Sequence, residues 1–234
     1  MTYREIAPAP ALRPWVECFW TRRGEAPASA NLEQRVLPDG CADLVFDLAA
    51  GEAMAVGTMT KPLVLPPGRR SDFFGVRFRP GRAAAFLRIP LAEITDARVP
   101  LRDLWRTDVA ERLVTVHDRV SALESELIRR LRPDRDARVD AAIERMAAGD
   151  TRVETIAREL GISRQHLARQ FLHHVGVSPK TFARVMRFRR VLESAHDDWA
   201  DVAARHGYYD QSHLIADFRE FAGGTPGAFH FSNP

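Results

Sequence analysis

Apolar positions along this chain keep two rhythms, one in each part. Between residues 34 and 78 they fall in short runs: Gln34 to Leu37, Cys41 to Leu48, Ala53 to Gly57 and Asp72 to Phe78. Turn-forming groups separate the runs at Pro38-Asp39-Gly40, Ala50-Gly51 and Pro66-Pro67-Gly68, and this spacing predicts short strands. In the last run Phe74, Val76 and Phe78 alternate with Gly75, Arg77 and Arg79, which predicts one buried face. Upstream, the proline-studded stretch Pro8 to Pro14 leads to Trp15, Val16, Phe19 and Trp20, whose spacing suits a short helix and a strand equally. Glu25 to Asn31 is small and polar and reads as a loop. Pro80-Gly81 ends the strand region, and helical patterns follow at Arg82 to Arg88, Asp108 to His117 and Ser121 to Leu131. A break at Pro133-Asp134-Arg135-Asp136 divides the chain, and beyond it every segment reads as helix. The expected fold class is α+β: a strand-rich N-terminal domain with flanking helices over residues 1–132, then an all-α domain over 133–234.

The C-terminal part contains an internal repeat. Ile156, Ala157, Leu160 and Gly161 recur as Val202, Ala203, His206 and Gly207, and Leu167, Phe171, Gly176, Ser178 and Pro179 recur as Leu214, Phe218, Gly223, Thr225 and Pro226. The offset grows by one residue after the glycine, as though the second turn held an insertion. In each copy a small residue permits two helices to cross closely, and the glycine supplies the backbone freedom that a tight interhelical turn requires. Ser163 and Asp210 stand where an N-cap belongs. Leu167 with Phe171, and Leu214 with Phe218, give the next helix a buried i, i+4 face. Ser178-Pro179 and Thr225-Pro226 put a capping hydroxyl before a proline at the first helical position. A helical protein-interaction array would share this pattern, but such arrays generally need at least three copies.

Charge sharpens the picture. The net charge is only +3 at pH 7, yet between Glu159 and Glu193 there is no acid, while Arg164, Arg169, Lys180, Arg184, Arg187, Arg189 and Arg190 all fall there. Lys180, Arg184 and Arg187 share one helical face opposite Phe182, Val185 and Met186, an arrangement that suits a stripe of phosphate contacts. Arg189 falls among the apolar positions, and the pattern offers no account of it.

With these residues in view, the stretch from Val139 to Phe229 resembles the AraC/XylS-type DNA-binding domain. Its most specific part is Gly207-Tyr208-Tyr209-Asp210-Gln211-Ser212-His213-Leu214 with Phe218 and Gly223-Gly224-Thr225-Pro226. The resemblance implies seven helices, with two recognition helices in successive major-groove segments of double-stranded promoter DNA, and RNA polymerase as the machinery recruited or blocked. Arg164, Gln165 and Arg169 are the expected contacts of the first recognition helix, and Gln211, Ser212 and His213 those of the second. Arginine reads guanine and glutamine reads adenine, whereas a phosphate contact positions without specifying. Ala168 and Ala216 stand where family members often carry longer polar side chains.

Val36-Leu37-Pro38-Asp39-Gly40-Cys41-Ala42-Asp43-Leu44 and Gly75-Val76-Arg77-Phe78-Arg79-Pro80-Gly81 resemble a strand-rich domain found upstream of such modules. That resemblance implies an N-terminal part that senses a small-molecule effector or holds a homodimer. Trp15, Trp20, Phe46, Phe74 and Phe78 suit the lining of an apolar pocket or, more commonly, plain core. Arg77 and Arg79 suit an anionic effector or water. Cys18 and Cys41 read as small buried hydrophobes; a redox pair, a soft-metal site, or an alkyl-accepting nucleophile of the DNA-repair kind are the alternatives.

Other chemistries lack their scaffolds. Adjacent His173 and His174 cannot share a helical face, and no H-E-x-x-H, G-x-S-x-G, Walker or G-x-G-x-x-G motif occurs, so neither an enzyme, a metal nor a cofactor is expected. No run of eighteen apolar residues or leader pattern occurs, which leads to the expectation of a cytoplasmic protein without membrane association.

Overall fold

The computed structural model describes residues 2–25, 34–65, 70–133, 136–150, 152–194 and 198–228. The Pro66-Pro67-Gly68 turn, most of the Glu25–Asn31 loop and the centre of the Pro133–Asp136 break lie outside the described residues.

Six strands build one antiparallel sheet in the order β1 (Thr2–Ile6), β2 (Val16–Glu25), β7 (Arg70–Phe78), β4 (Ala42–Asp47), β5 (Glu52–Val56) and β8 (Arg98–Pro100). The short strands β3 (Gln34–Val36) and β6 (Leu63–Leu65) pair separately. Strand β7 lies between β2 and β4, so its alternation sets which face is core. Phe74, Val76 and Phe78 are buried together with Phe19, Leu44 and Phe46, as the period-2 pattern requires. Removing each such side chain from water is worth about 1.5–3 kcal/mol. The ambiguous segment at Trp15 resolves as strand from Val16 onward, because pairing with β7 satisfies its backbone and Trp20 finds Gly75 opposite. Trp15, Phe46, Phe74 and Phe78 belong to the core, while Trp20 lies on the opposite face from them.

Helices α1 (Ala84–Leu87), α2 (Leu101–Trp105), α3 (Val109–Thr115) and α4 (Arg119–Arg130), with a 3-10 turn at Leu91–Ile94, supply the rest of this core. Asp108 and Asp118 cap α3 and α4 by accepting from the backbone N–H groups of Glu111 and Ser121. The C-terminal part is helical throughout its described residues: α5 (Ala137–Ala147), α6 (Val153–Glu159), α7 (Arg164–His174), α8 (Pro179–Leu192), α9 (Trp199–Arg205) and α10 (Gln211–Ala222), followed by a 3-10 turn at Pro226–Ala228. The buried apolar residues form two clusters, one running from Leu12 to Leu127 and the other from Val139 to Ala222.

The two clusters are joined by specific contacts. Thr58 Oγ1 donates to the Val175 carbonyl at 2.5 Å, and Thr95 Oγ1 donates to that of Gly176 at 2.6 Å, both just past α7. Arg35 donates to the Ala222 carbonyl at the end of α10 at 2.6 Å, and Arg82 pairs with Asp140 of α5 at 2.5 Å. Gly40 sits so close to α8 that an added Cβ would lie 2.7 Å from Phe182 and 2.8 Å from Met186. The strand-rich part thus holds the C-terminal ends of α7 and α10 and one side of α8.

Candidate nucleic-acid interface

Both repeat copies fold as helix–turn–helix units with the same local logic. Gly161 and Gly207 take φ of +66° and +71° in the two turns, the left-handed region where a side chain is strained. The chain then folds back, with Ile162 N–H donating to the Ala157 carbonyl at 3.0 Å and Tyr208 N–H donating to that of Ala203 at 2.9 Å. Ser163 Oγ accepts from His166 N–H at 3.1 Å and Asp210 Oδ1 accepts from His213 N–H at 2.8 Å, so α7 and α10 start on the expected caps. The inserted residue of the second turn is Tyr209, which is 93% exposed. Leu167, Phe171, Leu214 and Phe218 are fully buried, fixing the opposite face of each helix toward solvent.

On α7 the exposed residues include Arg164, Gln165 and Arg169. Arg164 pairs with Glu154 in the first turn of α6, which brings the starts of the two helices together. Arg169 approaches His166 Nδ1 at 3.1 Å, and His166 Nε2 lies 3.5 Å from Asp136. Gln165 makes no side-chain bond among the described residues. On α10 Gln211, Ser212 and His213 are exposed, with His213 Nε2 3.3 Å from Arg187. Ala168 is half-buried and Ala216 exposed.

The linker helix departs from the expected stripe. Lys180 is exposed, but Arg184 and Arg187 turn toward α10 because a buried carboxylate waits there. Asp217, with no exposed surface, accepts from Arg184 at 2.6 Å and from Arg187 at 3.1 Å. Arg184 also reaches Glu220 at 2.6 Å and lies over the Phe221 ring. Arg187 is itself buried, 3.9 Å from the Tyr208 ring centroid and 3.3 Å from the Gly207 carbonyl. A charge this desolvated is kept only by close opposite charge, so these arginines brace α8 against the second helix–turn–helix unit. The same burial pushes the Tyr208 hydroxyl pKa upward. Arg189, unexplained by periodicity, is half-exposed and stands 3.9 Å from Glu193. Sequence reasoning passes over Asp217. Its only signal is an acid between Leu214 and Phe218, on the apolar side of an otherwise amphipathic helix.

In the strand-rich part Arg77 stands between two carboxylates, 3.4 Å from Asp39 and 3.5 Å from Asp43, and Asp43 also accepts from the Trp20 indole at 3.0 Å. Arg79 pairs instead with Glu17 at 2.7 Å. Burial pushes the Asp43 carboxyl up to about 6, because one guanidinium shared between two acids does not offset the lost hydration. Cys18 and Cys41 are buried free thiols, but their surroundings are not simply apolar, since Asp39, Asp43 and Arg77 adjoin them. Burial pushes the Cys18 thiol up to about 12 and raises that of Cys41 well above its ordinary value. Among the described residues no group of three or more acidic, histidine or cysteine side chains is placed to hold a metal, and no helix is long and apolar enough to cross a membrane.

Residues 156–230 match a family described as a helix-turn-helix domain, and residues 4–100 match a domain of unknown function (DUF6597). Among curated proteins none matches the chain. Solved structures similar to it include ToxT from Vibrio cholerae. An apo variant from strain SCE256 is 12% identical, covering 97% of this chain and 94% of that one at a TM-score of 0.41. ToxT from strain O395 is 12% identical, covering 96% and 94% at 0.40. Unsaturated fatty acid bound wild-type ToxT is 13% identical, covering 85% and 92% at 0.35.

Proposed function

We propose that the chain is a DNA-binding transcriptional regulator of the AraC type that reads duplex promoter DNA through the exposed starts of α7 and α10. The observation that carries this reading is the pair of capped helix–turn–helix units, each buried on one face and open to solvent at its first turn. Gln165 and Arg169 read base edges, Arg164 and Lys180 contact phosphate, and Gln211, Ser212 and His213 form a less selective second half. Arg184 and Arg187 set the angle between the halves through Asp217. Residues up to about Arg132 form the sensing or dimerising domain and those beyond it the DNA-binding domain, a division supported by the two separate cores. A small-molecule effector, a second copy of the chain and RNA polymerase are its partners in this reading. The Asp39–Arg77–Asp43 cluster offers a route from sensor to reader, since Asp39 adjoins Gly40 and Gly40 packs on Phe182 and Met186 of α8. No catalytic role is proposed: the two thiols are buried with raised pKa values, which disfavours a nucleophilic thiolate.

The test is titration of the full chain against a random-sequence duplex over a salt series. Binding at low salt that weakens linearly in log salt concentration is expected. Absence of binding to any duplex at low salt would overturn the reading.

A further inference from the structure

A concavity of about 320 Å³ is lined by Ala148 and Gly149 just after α5, by Arg190 of α8, and by Arg205, His206 and Gly207 at the end of α9. Among the described residues no carboxylate lines it, in a chain that holds nearly as many acids as bases. Arg205, the last residue of α9, is exposed and has no ion pair among the described residues. Arg190 comes from α8 and donates to the Ala147 carbonyl at 3.2 Å, at the C-terminal end of α5, so it is held in place by neutral groups. Desolvation and the nearby Arg187 charge lower its pKa, outweighing the Glu193 carboxylate.

The position of the hollow points to its occupant. Gly149 stands shortly before α6, whose first turn is tied to the start of α7 by Glu154 and Arg164. His206 and Gly207 form the turn that leads into α10. One wall is therefore the segment that leads into the first reading unit, and the other is the turn of the second. When each recognition helix enters its own major-groove segment, the sugar-phosphate backbone must pass between them.

We propose that this hollow, through Arg190, Arg205 and His206, holds a phosphodiester of the DNA backbone midway between the two major-groove segments. The inference rests on the DNA-binding reading above. It adds a positioning site that fixes the register of one recognition helix relative to the other, with no base readout of its own.

The experiment uses the full chain and compares wild type with Arg205→Ala, Arg205→Lys and Arg190→Gln on a duplex of preferred sequence and on random duplex, across a salt series. Arg205→Ala is expected to weaken both duplexes alike and to reduce the salt slope by about 0.9, so that its deficit shrinks about 3.5-fold between 50 and 200 mM salt. Arg205→Lys should restore the slope. Replacing the central phosphate by a neutral methylphosphonate should weaken wild type and leave Arg205→Ala unaffected. Arg205 is exposed, so its variants keep the test valid even where Arg190→Gln fails to fold. Wild-type affinity and slope in Arg205→Ala, with wild type itself binding DNA, would overturn the site and leave the DNA-binding reading standing. Failure of wild type to bind any duplex would remove both. Saturable binding of inorganic phosphate that Arg205→Ala abolishes without altering DNA affinity would assign the hollow to a free anion and overturn the proposal.

Discussion

Asp43 and Asp217 are both acids drawn out of water, but with opposite arithmetic. Asp217 faces two arginines and is served by both, whereas Asp43 shares a single arginine with Asp39. Its folded pKa of about 6 lies above the unfolded value of about 3.9, so the folded chain binds this proton more tightly. The stability linked to it is fully present below about pH 4 and is lost as pH rises through about 6. Melting temperatures between pH 4 and 7 should therefore show this decline in wild type and a flatter profile in Asp43→Asn. Superimposable profiles would show that Asp43 does not titrate in this range. Such pairings were not legible in the sequence, because Arg77 and Asp43 lie 34 positions apart and meet only across the β4–β7 ladder.

Among the elements, those with a strong period were legible and those without one were not. The alternation in β7, the i, i+4 pairs of α7 and α10 and the caps at Ser163, Ser178 and Asp210 all describe what forms. Strand β1 escaped notice because, at the sheet edge, it buries little and so carries no apolar rhythm. The linker helix misled for a different reason: its basic face is real, but periodicity does not say that α10 carries acids to meet it. Arg169, expected at a base edge, and Arg184, expected at a phosphate, should still fail differently, but Arg184 through its partners on α10. Arg169→Ala should cost about 1–3 kcal/mol on the preferred sequence and flatten discrimination at one base pair, with little change on random duplex. Arg184→Ala should lower the melting temperature and weaken all duplexes without changing the salt slope, since its charge is spent on Asp217 and Glu220. A slope reduced by about one would return Arg184 to the phosphate contacts. Uniform weakening in Arg169→Ala would move base reading to Gln165.

At the scale of the molecule, the strand-rich part grips the ends of α7 and α10 remote from their capped starts, so it bears on both helices without covering their first turns. A shift in that part has a mechanical path to the spacing between the helices, through Thr58, Arg35 and the Gly40 contact with α8. The central claim is that one chain reads two successive major-groove segments on one face of the duplex. Selection of bound sequences from a random duplex pool by the full chain tests it most directly. Two base-specific segments about 10–10.5 base pairs apart are expected, with the segment read by α7 the more constrained. A pool that shows no enriched sequence, or a single segment with no partner one helical turn away, would contradict it.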